Sequence, residues 1–335
     1  MRAIARLRNA ACLLALAIVP SVVLAGTSEN TTNNAELSLV TLNLYHDKAQ
    51  WPKRLPLILA ELKRLRPDVI ALQEVIGHET VPNQAQAIAD TLGYEYAFSS
   101  TDPAGSPQRY GNAILTRRPI LARAWKKLEP LDDSRTALQL RIAVGDRAVN
   151  VYVTHLHWTD EGAAIRRQQV QGLLEFIAAS SDGAPSLVAG DFNALASAPE
   201  LQALATGFAD TYGALHAEAD RAADSTLNLA YFAPKRIDHV FLQREAFAPL
   251  EARIILNRAD AQGNWPSDHY GLQVRLRLRP ARTPDPQARW RDRSLTPDAR
   301  ADALLAQMMH PGRPLPAAAR FVGHSDDACD RDRAR

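Results

Sequence analysis

The sequence is poor in cysteine. Of its 335 residues only two are cysteine, Cys12 and Cys329. This scarcity excludes a scaffold held together by several disulfides, and it excludes a zinc site built from four thiolates. Aromatic residues make up 6% of the chain, and the composition is otherwise that of an ordinary folded protein. Stability therefore has to come from a buried apolar core, for which a chain of this length has ample material.

Long apolar runs are also scarce, and the most prominent one lies near the N-terminus. Residues 10–25, AACLLALAIVPSVVLA, follow three arginines and end in small residues before Gly26. A basic start, a short apolar stretch and small residues at its end are typical of a secretory signal peptide. A membrane anchor is the alternative, but the run is short for a span and contains Pro20. We therefore predict a signal peptide at residues 1–25, export to the periplasm or the medium, and no stable membrane span.

The sequence has little excess charge of either sign. Its formal net charge is +2, and residues 1–25 carry three arginines and no acid, which leaves a net charge of −1 for the rest. Residues 26–280 contain 26 basic and 29 acidic residues. This balance argues against strong nonspecific binding to nucleic acid, although a local basic groove can exist on an acidic protein. No segment of the sequence indicates an obligate protein partner.

Residues 37–280 contain strand-like and helix-like segments. Eight apolar segments bounded by turn residues predict strands: LSLVTLNL, DVIALQEV, GNAILTRR, ALQLRIAV, AVNVYVTHL, SLVAGDF, IDHVFL and GLQVRLRL. Apolar residues at helical spacing predict helices at 51–66 and 163–179. Many strands with few helices do not suit a regularly alternating parallel sheet. We therefore predict an α+β domain in which two sheets pack together with helices outside.

Two segments of different composition flank this domain. Residues 26–36 form a polar lead-in. Residues 281–335 are rich in arginine, proline and alanine and contain no lysine. We predict that this C-terminal segment is a partly disordered tail with one helix at 297–309.

Polar residues stand where the apolar strands end. Strand cores normally exclude such residues, because burying them without partners costs several kcal/mol. The set comprises Asn43, Glu74, His155, Asp191, Asn193, Asp238, Asp268 and His269. Each one alone has a structural explanation, such as a turn, a helix cap or a hydrogen-bonded core histidine. Their repetition at the ends of at least five strands predicts that they converge on one polar site.

The residue types in this set suit the hydrolysis of a phosphate ester. Oxygen ligands without cysteine, such as those of Glu74, Asp268 and Asn43, suit Mg²⁺ or Mn²⁺. Asp238 can fix the imidazole of His269 and favour its charged form beside an anion. The remaining amide and imidazole donors suit the stabilisation of charge that develops on a phosphoryl group.

The order and spelling of these motifs resemble the endonuclease/exonuclease/phosphatase superfamily. This superfamily includes pancreatic-type deoxyribonucleases, exonuclease III-type repair enzymes, neutral sphingomyelinases and inositol polyphosphate 5-phosphatases. The resemblance spans about Leu37 to Leu278 and rests on LNL, LQEV, GNAILTRRPI, THL, GDFNA, RIDHVF and SDH in family order. It implies a four-layer αββα sandwich of two mixed β-sheets flanked by helices. It also implies divalent-metal-dependent hydrolysis of a phosphate ester.

The resemblance assigns expected roles to the metal-binding and water-activating residues. Glu74 matches the main metal ligand of the family, with Asn43 and Asp268 beside the metal. Asp191 matches the aspartate that orients or deprotonates the attacking water, and Asn193 stands next to it. The mechanism that these roles imply is an in-line attack of water on phosphorus.

The resemblance also assigns expected roles to two histidines. His269 matches the histidine at the scissile phosphate, and Asp238 matches the acid that orients it. His155 matches the phosphate-contacting histidine of the THL strand. Together with the neighbouring amide, these side chains are expected to stabilise the transition state.

Several nearby residues are expected to have structural roles only. Tyr110 and Tyr152 are expected to pack within strands, since no clear counterpart of the phosphate-site tyrosine of repair endonucleases is found. We expect His157 to be structural, Arg135 to lie on a solvated strand edge, and Phe192 to point into the core.

The substrate is not defined by these motifs, because the superfamily cleaves several kinds of ester on one frame. An exported phosphodiesterase is the favoured hypothesis, with a nuclease as its leading version. A sphingomyelinase-like phospholipase C is an alternative, and it requires an exposed apolar hairpin that can enter a bilayer surface. A non-catalytic binding module is an alternative of another class, but such relatives lose a metal ligand or the water-orienting aspartate. The expected partner is therefore a phosphate-ester substrate; nucleic acid, a phospholipid headgroup and a small phosphoester all stay open.

Overall fold

Two six-stranded β-sheets form the centre of the protein. A computed structural model describes residues 35–280 and 294–308. The strands are β1 (Glu36–Asn43), β2 (Val69–His78), β3 (Glu95–Ser100), β4 (Gln108–Thr116), β5 (Ile120–Lys127), β6 (Thr136–Val144), β7 (Arg147–His155), β8 (Ser186–Asp191), β9 (Phe208–Asp210), β10 (Asp238–Gln243), β11 (Phe247–Ile255) and β12 (Gly271–Leu278). The helices are α1 (Trp51–Leu65), α2 (Gln84–Leu92), α3 (Ala163–Ser180), α4 (Gln202–Gly207), α5 (Thr211–Leu215) and α6 (Pro297–Met308).

Both sheets are mixed, and each contains one parallel pair. The first sheet has the order β11-β12-β1-β2-β4-β3, and the second has the order β5-β6-β7-β8-β10-β9. The parallel pairs are β1–β2 and β7–β8. Parallel neighbours need a long crossover between them, and here α1 and α3 supply it. The centre of each sheet is therefore a β-α-β unit.

An apolar core fills the space between the sheets. Leu39 of β1 and Val274 of β12 lie in the same buried cluster as Leu140 of β6 and Val151 of β7. Alternate residues along each strand point to opposite faces, so one face of each sheet faces the other sheet.

The opposite faces of the sheets pack against the helices. Ile58 and Leu62 of α1 share a cluster with Val40 of β1, and Leu173 of α3 shares a cluster with Val188 of β8. These layers confirm the predicted four-layer αββα sandwich of two mixed sheets.

The predicted helices are present. Those at 51–66 and 163–179 correspond to α1 and α3, and the one at 297–309 corresponds to α6. The signal peptide, most of the polar lead-in and the rest of the tail lie outside the described residues, so they stay predictions. Within the described ranges, no helix is both long and apolar enough to cross a membrane.

Gly190 brings β7 and β8 into close contact immediately before Asp191. Its φ is +148°, and a Cβ atom there would lie 2.0 Å from the carbonyl oxygen of Thr154. A side chain at this position is sterically excluded. The glycine of the GDFNA motif therefore lets the ends of the two strands approach each other where the polar residues lie.

Candidate active site

The polar residues come together because the strands that carry them end on the same side of the sandwich. In the second sheet, His155 of β7 pairs with Asp191 of β8, and Asp191 pairs with Asp238 of β10. In the first sheet, Asn43 ends β1 beside the part of β2 that carries Glu74. Three neighbouring strands of one sheet thus face two strands of the other.

Asp191 lies at the centre of this cluster and is fully buried. One carboxylate oxygen, Oδ1, accepts a hydrogen bond from the backbone N–H of Asn193 at 2.9 Å. The other, Oδ2, accepts one from the amide of Asn43 at 3.1 Å. The Nε2 atoms of His155 and His269 lie 3.5 and 3.8 Å from Oδ2. Burial, with a further contribution from the negative charge of a neighbouring acid, raises the pKa of Asp191 to about 7.

That neighbouring acid, Asp238, also orients His269. Its Oδ2 atom lies 2.9 Å from Nδ1 of the imidazole, and its Oδ1 atom is buried without a hydrogen-bond partner among the described residues. Burial lowers the pKa of His269, but the charge of Asp238 and its hydrogen bond outweigh this effect and raise the pKa to about 10. His269 is therefore an imidazolium at neutral pH, held by Asp238 through Nδ1, with Nε2 facing Asp191.

Glu74 reaches the cluster through an irregularity in β2. The β2–β4 ladder shifts register between Leu72 and Val75, and Glu74 has a positive φ of 54°. Such a bulge changes the direction in which a strand side chain points. The Oε2 atom of Glu74 lies 3.0 Å from Nε2 of His46. Burial raises the pKa of Glu74, but this hydrogen bond and the nearby histidine charges lower it to about 2.

Asp268 joins the cluster from the loop before β12. The hydroxyl of Ser267 donates to the backbone oxygen of Asn43 at 2.7 Å and lies 3.3 Å from Oδ1 of Asp268. Burial raises the pKa of Asp268 to about 6, and the negative charge of Glu74 acts in the same direction against the opposing charge of His269. The charge of Glu74 in β2 therefore affects the protonation of Asp268 in this loop.

The remaining members of the set have structural partners as well. The amide nitrogen of Asn193 donates to the carbonyl oxygen of Leu156 at 3.1 Å, and Oδ1 of Asn43 accepts from the N–H of Tyr45. Phe192 is fully buried, as expected, and packs edge-to-face against Phe241. The eight predicted site residues thus all lie at the same end of the sandwich.

Tyr110 is a site residue that the sequence interpretation missed. Its hydroxyl lies 3.3 Å from Nδ1 of His155, and its ring stacks on that of His46 at 4.9 Å between centroids. The expectation that it only packs within a strand was therefore wrong, whereas Tyr152 is buried in the core as expected. Its position follows from the antiparallel pairing of β2 with β4, in which Tyr110 is the partner of Ile76, two residues after Glu74.

Arg135 was also misjudged. Instead of lying on a solvated edge, it is 8% exposed, and its Nη1 atom is buried without a hydrogen-bond partner in the described part of the chain. Its Nε atom lies 3.4 Å from Oδ1 of Asp133. Burial first, and the charge of Arg135 second, lower the pKa of His155. His155 is therefore neutral, in contrast to His269.

Comparison with known proteins identifies the family of this chain. The family model described as Endonuclease/Exonuclease/phosphatase family matches residues 40–269, more than half of the chain. The chain belongs to the endonuclease/exonuclease/phosphatase family. Members of this family are metal-dependent phosphoesterases, so the protein is a metal-dependent phosphoric ester hydrolase.

Individual relatives are more distant. The chain is 29% identical over 184 residues to the uncharacterized protein YbhP of Escherichia coli (strain K12), which covers 48% of this chain and 68% of that protein.

Solved structures are similar in fold. The human Nocturnin catalytic domain with bound sulfate is 22% identical, with a TM-score of 0.60, covering 73% of this chain and 94% of that chain. D. rerio TDP2 complexed with a single-strand DNA product is 20% identical, with a TM-score of 0.60, covering 72% of this chain and 99% of that chain. At these identities the likeness shows the fold alone.

The side chains of this endonuclease/exonuclease/phosphatase site fit a hard divalent cation. Glu74 and Asp268 offer carboxylate oxygens at this end of the sandwich, and the charge of Glu74 contributes to raising the pKa of Asp268. Donor atoms of Asp191, Asp238 and His269 also lie within 4.8 Å of one another, but the imidazolium of His269 has no lone pair to offer a cation, so this second group is assigned to the substrate side of the site. No cysteine belongs to either group, which matches the predicted preference for magnesium or manganese over structural zinc.

Two buried arginines stabilise the loops that follow β1 and β7. Arg54, the fourth residue of α1, donates to the carbonyl oxygens of four loop residues and of Pro266. The four are Leu44, Tyr45, His46 and Lys48. Tyr45 and His46 have positive φ values, so these hydrogen bonds hold a strained backbone.

Arg166 occupies the same place in the second β-α-β unit. It is the fourth residue of α3, and it donates to the carbonyl oxygens of His157, Thr159 and Asp160 and to Oε1 of Glu200. His157 is fixed in this loop by Asp133, 2.8 Å from its Nδ1, which agrees with its expected structural role. Each crossover helix thus holds in place the loop that leads from the site to its own first residue.

We predict that Asp238→Asn lowers the pKa of His269 from about 10 toward its ordinary value. The substitution keeps the side-chain volume but removes the charge that opposes the effect of burial. NMR titration of the His269 imidazole in the metal-free protein measures this change. Asp182→Asn, on the exposed surface beside Arg141, is the control and leaves the pKa of His269 unchanged. An unchanged value in Asp238→Asn would contradict the assignment.

We predict that Arg54→Lys and Arg166→Lys loosen different loops. Lysine lacks the planar guanidinium of arginine and has fewer hydrogen-bond donors. Each variant is therefore expected to lower the free energy of unfolding by about 2–4 kcal/mol. Hydrogen exchange accelerates at residues 44–48 in Arg54→Lys and at residues 157–160 in Arg166→Lys. Each variant is the control for the other, and urea unfolding gives the stability. Equal acceleration of both loops in either variant would show a global effect instead.

Proposed function

We propose that the protein is an exported, divalent-metal-dependent phosphodiesterase that cleaves nucleic-acid phosphodiesters by in-line attack of water. One observation carries the proposal. The buried carboxylate of Asp191 lies beside the Nε2 atoms of a charged histidine, His269, and a neutral one, His155. A water-orienting base next to two imidazoles of different charge suits attack on a phosphate ester.

In this proposal Asp191 orients the attacking water and accepts its proton. The hydrogen bonds from Asn43 and from the N–H of Asn193 fix the orientation of the carboxylate. A pKa of about 7 suits a general base near neutral pH.

The histidines stabilise charge on the phosphoryl oxygens. His269 is an imidazolium held by Asp238, and it acts as a charged donor through Nε2. Burial keeps the Tyr110 hydroxyl protonated by raising its pKa, so the hydroxyl can donate to Nδ1 of His155, 3.3 Å away. In this proposal it does so, and the imidazole proton of His155 is on Nε2, which lies beside Asp191 as Nε2 of His269 does.

Glu74 and Asp268 are the residues that hold the cation in this proposal. Glu74 is ionised, since its pKa is about 2, and it is anchored by His46. Asn43 supports the position through its bonds to Ser267 and Asp191. A bound Mg²⁺ or Mn²⁺ offsets negative charge on the phosphate ester.

A nucleic acid is the leading substrate class. The structural neighbour D. rerio TDP2 was solved with a single-strand DNA product, and this chain shares its fold. The apolar run of residues 10–25 supports export as part of this proposal, with function in the periplasm or outside the cell.

We predict that Asp191→Ala lowers kcat on bis(p-nitrophenyl) phosphate by about 10³-fold or more, because the water is no longer oriented. Glu74→Ala is expected to weaken Mn²⁺ binding, which isothermal titration calorimetry measures without substrate. EDTA is expected to abolish the activity of the wild-type protein. Asp182→Ala serves as the matched surface control. Near-wild-type turnover by Asp191→Ala would refute the proposed mechanism.

A sphingomyelinase-like phospholipase C is a second candidate, and one surface favours it. Leu229, Tyr231 and Phe232 are exposed on one loop. This loop adjoins the site, because the N–H of Asn228 donates to the carbonyl oxygen of Asp268 at 2.9 Å. Aromatic and aliphatic side chains on such a tip suit insertion into the headgroup region of a bilayer.

The second candidate predicts that the protein binds vesicles of phosphatidylcholine and sphingomyelin and releases phosphocholine. Phe232→Ser would then reduce vesicle binding in a sedimentation assay about tenfold, because the aromatic side chain that inserts into the bilayer is lost. Leu121→Ala, an exposed apolar residue of β5, is the control. Absence of vesicle binding by the wild-type protein rules this candidate out.

A further inference from the structure

A groove of about 690 Å³ lies outside the cluster described above, along the edge where β3 and β5 border the two sheets. The residues at the end of β2 and the start of β4 close one side of it. We propose that this groove binds the single-stranded nucleic-acid segment next to the scissile phosphodiester. The inference rests on the proposed nuclease function and adds a binding site to it.

The groove is basic although the domain as a whole is not. Its lining includes Arg109 and Arg123 and no carboxylate, while His78, which also lines it, lies 3.0 Å from Asp47. The Nε atom of Arg109 is buried and has no hydrogen-bond partner within the described ranges. Arg123 has one acidic neighbour, Glu95, at 3.5 Å, and both side chains are more than half exposed. Since residues 26–280 carry an excess of acids, this concentration of positive charge is local.

Aromatic rings line the groove together with these arginines. Tyr96, Phe98 and Trp125 line the groove, and Trp125 is 52% exposed. The Arg109 guanidinium lies 5.1 Å from the centre of the Phe98 ring. Rings and guanidinium planes along a cationic groove are the common means of holding unpaired bases and their phosphates.

The groove borders the two strands, β2 and β4, that also contribute to the catalytic cluster. Gly77 of β2 lines the groove and pairs with Arg109 of β4, while the adjacent pair contains Tyr110, whose hydroxyl contacts His155. Gly77 follows Glu74 by three residues, which is about 10 Å along a strand. A strand of nucleic acid bound in the groove therefore lies close to the strand segment that carries Glu74.

The volume and chemistry favour a single strand over other occupants. A duplex keeps its bases stacked inside the helix, out of reach of the aromatic faces. A lipid surface does not match a lining that contains arginines together with the polar side chains of Asn83, Gln86 and Ser106. These amides and the hydroxyl can bond to base edges.

The test measures binding in EDTA, where no cleavage occurs. Fluorescence anisotropy of a labelled single-stranded oligodeoxynucleotide gives Kd for Trp125→Ala and Arg123→Ser. We expect Trp125→Ala to weaken binding about tenfold through lost stacking. Arg123→Ser is expected to lower the slope of log Kd against log salt by about 0.7. The controls are Leu121→Ala, 55% exposed on the same strand, and Arg167→Ser on α3, and both keep the wild-type affinity.

A second measurement separates this inference from the proposed function. Both groove variants are expected to hydrolyse bis(p-nitrophenyl) phosphate with the wild-type kcat, because this small diester does not extend into the groove. Failure of the wild-type protein to hydrolyse it rejects the proposed function, whereas the EDTA binding assay still judges the groove. Unchanged oligonucleotide affinity in both variants overturns the inference. Equal affinity of the wild-type protein for duplex and single-stranded DNA also overturns it. The inference is likewise overturned if the groove variants lose vesicle binding and keep oligonucleotide binding.

Discussion

The hydrogen bond from the Asn43 amide to Asp191 is the contact on which the rest of the site depends. It spans the two sheets, joining the end of β1 to the end of β8, and it is fully buried. The apolar core holds the sheets face to face, but it does not by itself fix which strand ends meet. This bond, together with the approach that Gly190 permits, brings His155, Asp191 and Asp238 of the second sheet to the polar residues of the first. The catalytic arrangement is therefore a property of the interface between the sheets.

The two β-α-β units supply equivalent parts of this interface. Each has a parallel strand pair, a crossover helix, and an arginine at the fourth helical position that binds the carbonyl oxygens of the preceding loop. A buried guanidinium can satisfy several carbonyl oxygens at once, which a loop next to a polar site cannot obtain from regular secondary structure. Arg54 and Arg166 thus allow irregular backbone to persist beside buried charges. The same device appears on both sides of the site.

The sequence predicted the fold class and the identity of most polar residues at the site. Strand-end positions are readable, because the alternation of apolar residues locates the strands and the polar residues that follow them. Tyr110 and His46 were not predicted as site residues. Their placement depends on the antiparallel pairing of β2 with β4 and on two left-handed residues after β1, which no local pattern specifies. Arg135 was misjudged for a related reason, since burial of a charged residue at a strand start is decided by distant segments.

The bulge in β2 distinguishes the surroundings, and so the pKa values, of two acids in the two halves of the fold. Glu74 lies within the second strand of one parallel pair and Asp191 ends the second strand of the other, yet their pKa values are about 2 and about 7. The bulge brings Glu74 within hydrogen-bonding distance of His46, whereas Asp191 ends a strand without a register shift and is buried beside Asp238. Near neutral pH Glu74 is therefore ionised, whereas Asp191 can take up a proton. Two similar halves of one fold thus supply carboxylates of unlike chemistry, because the bulge and the neighbours that it selects differ between them.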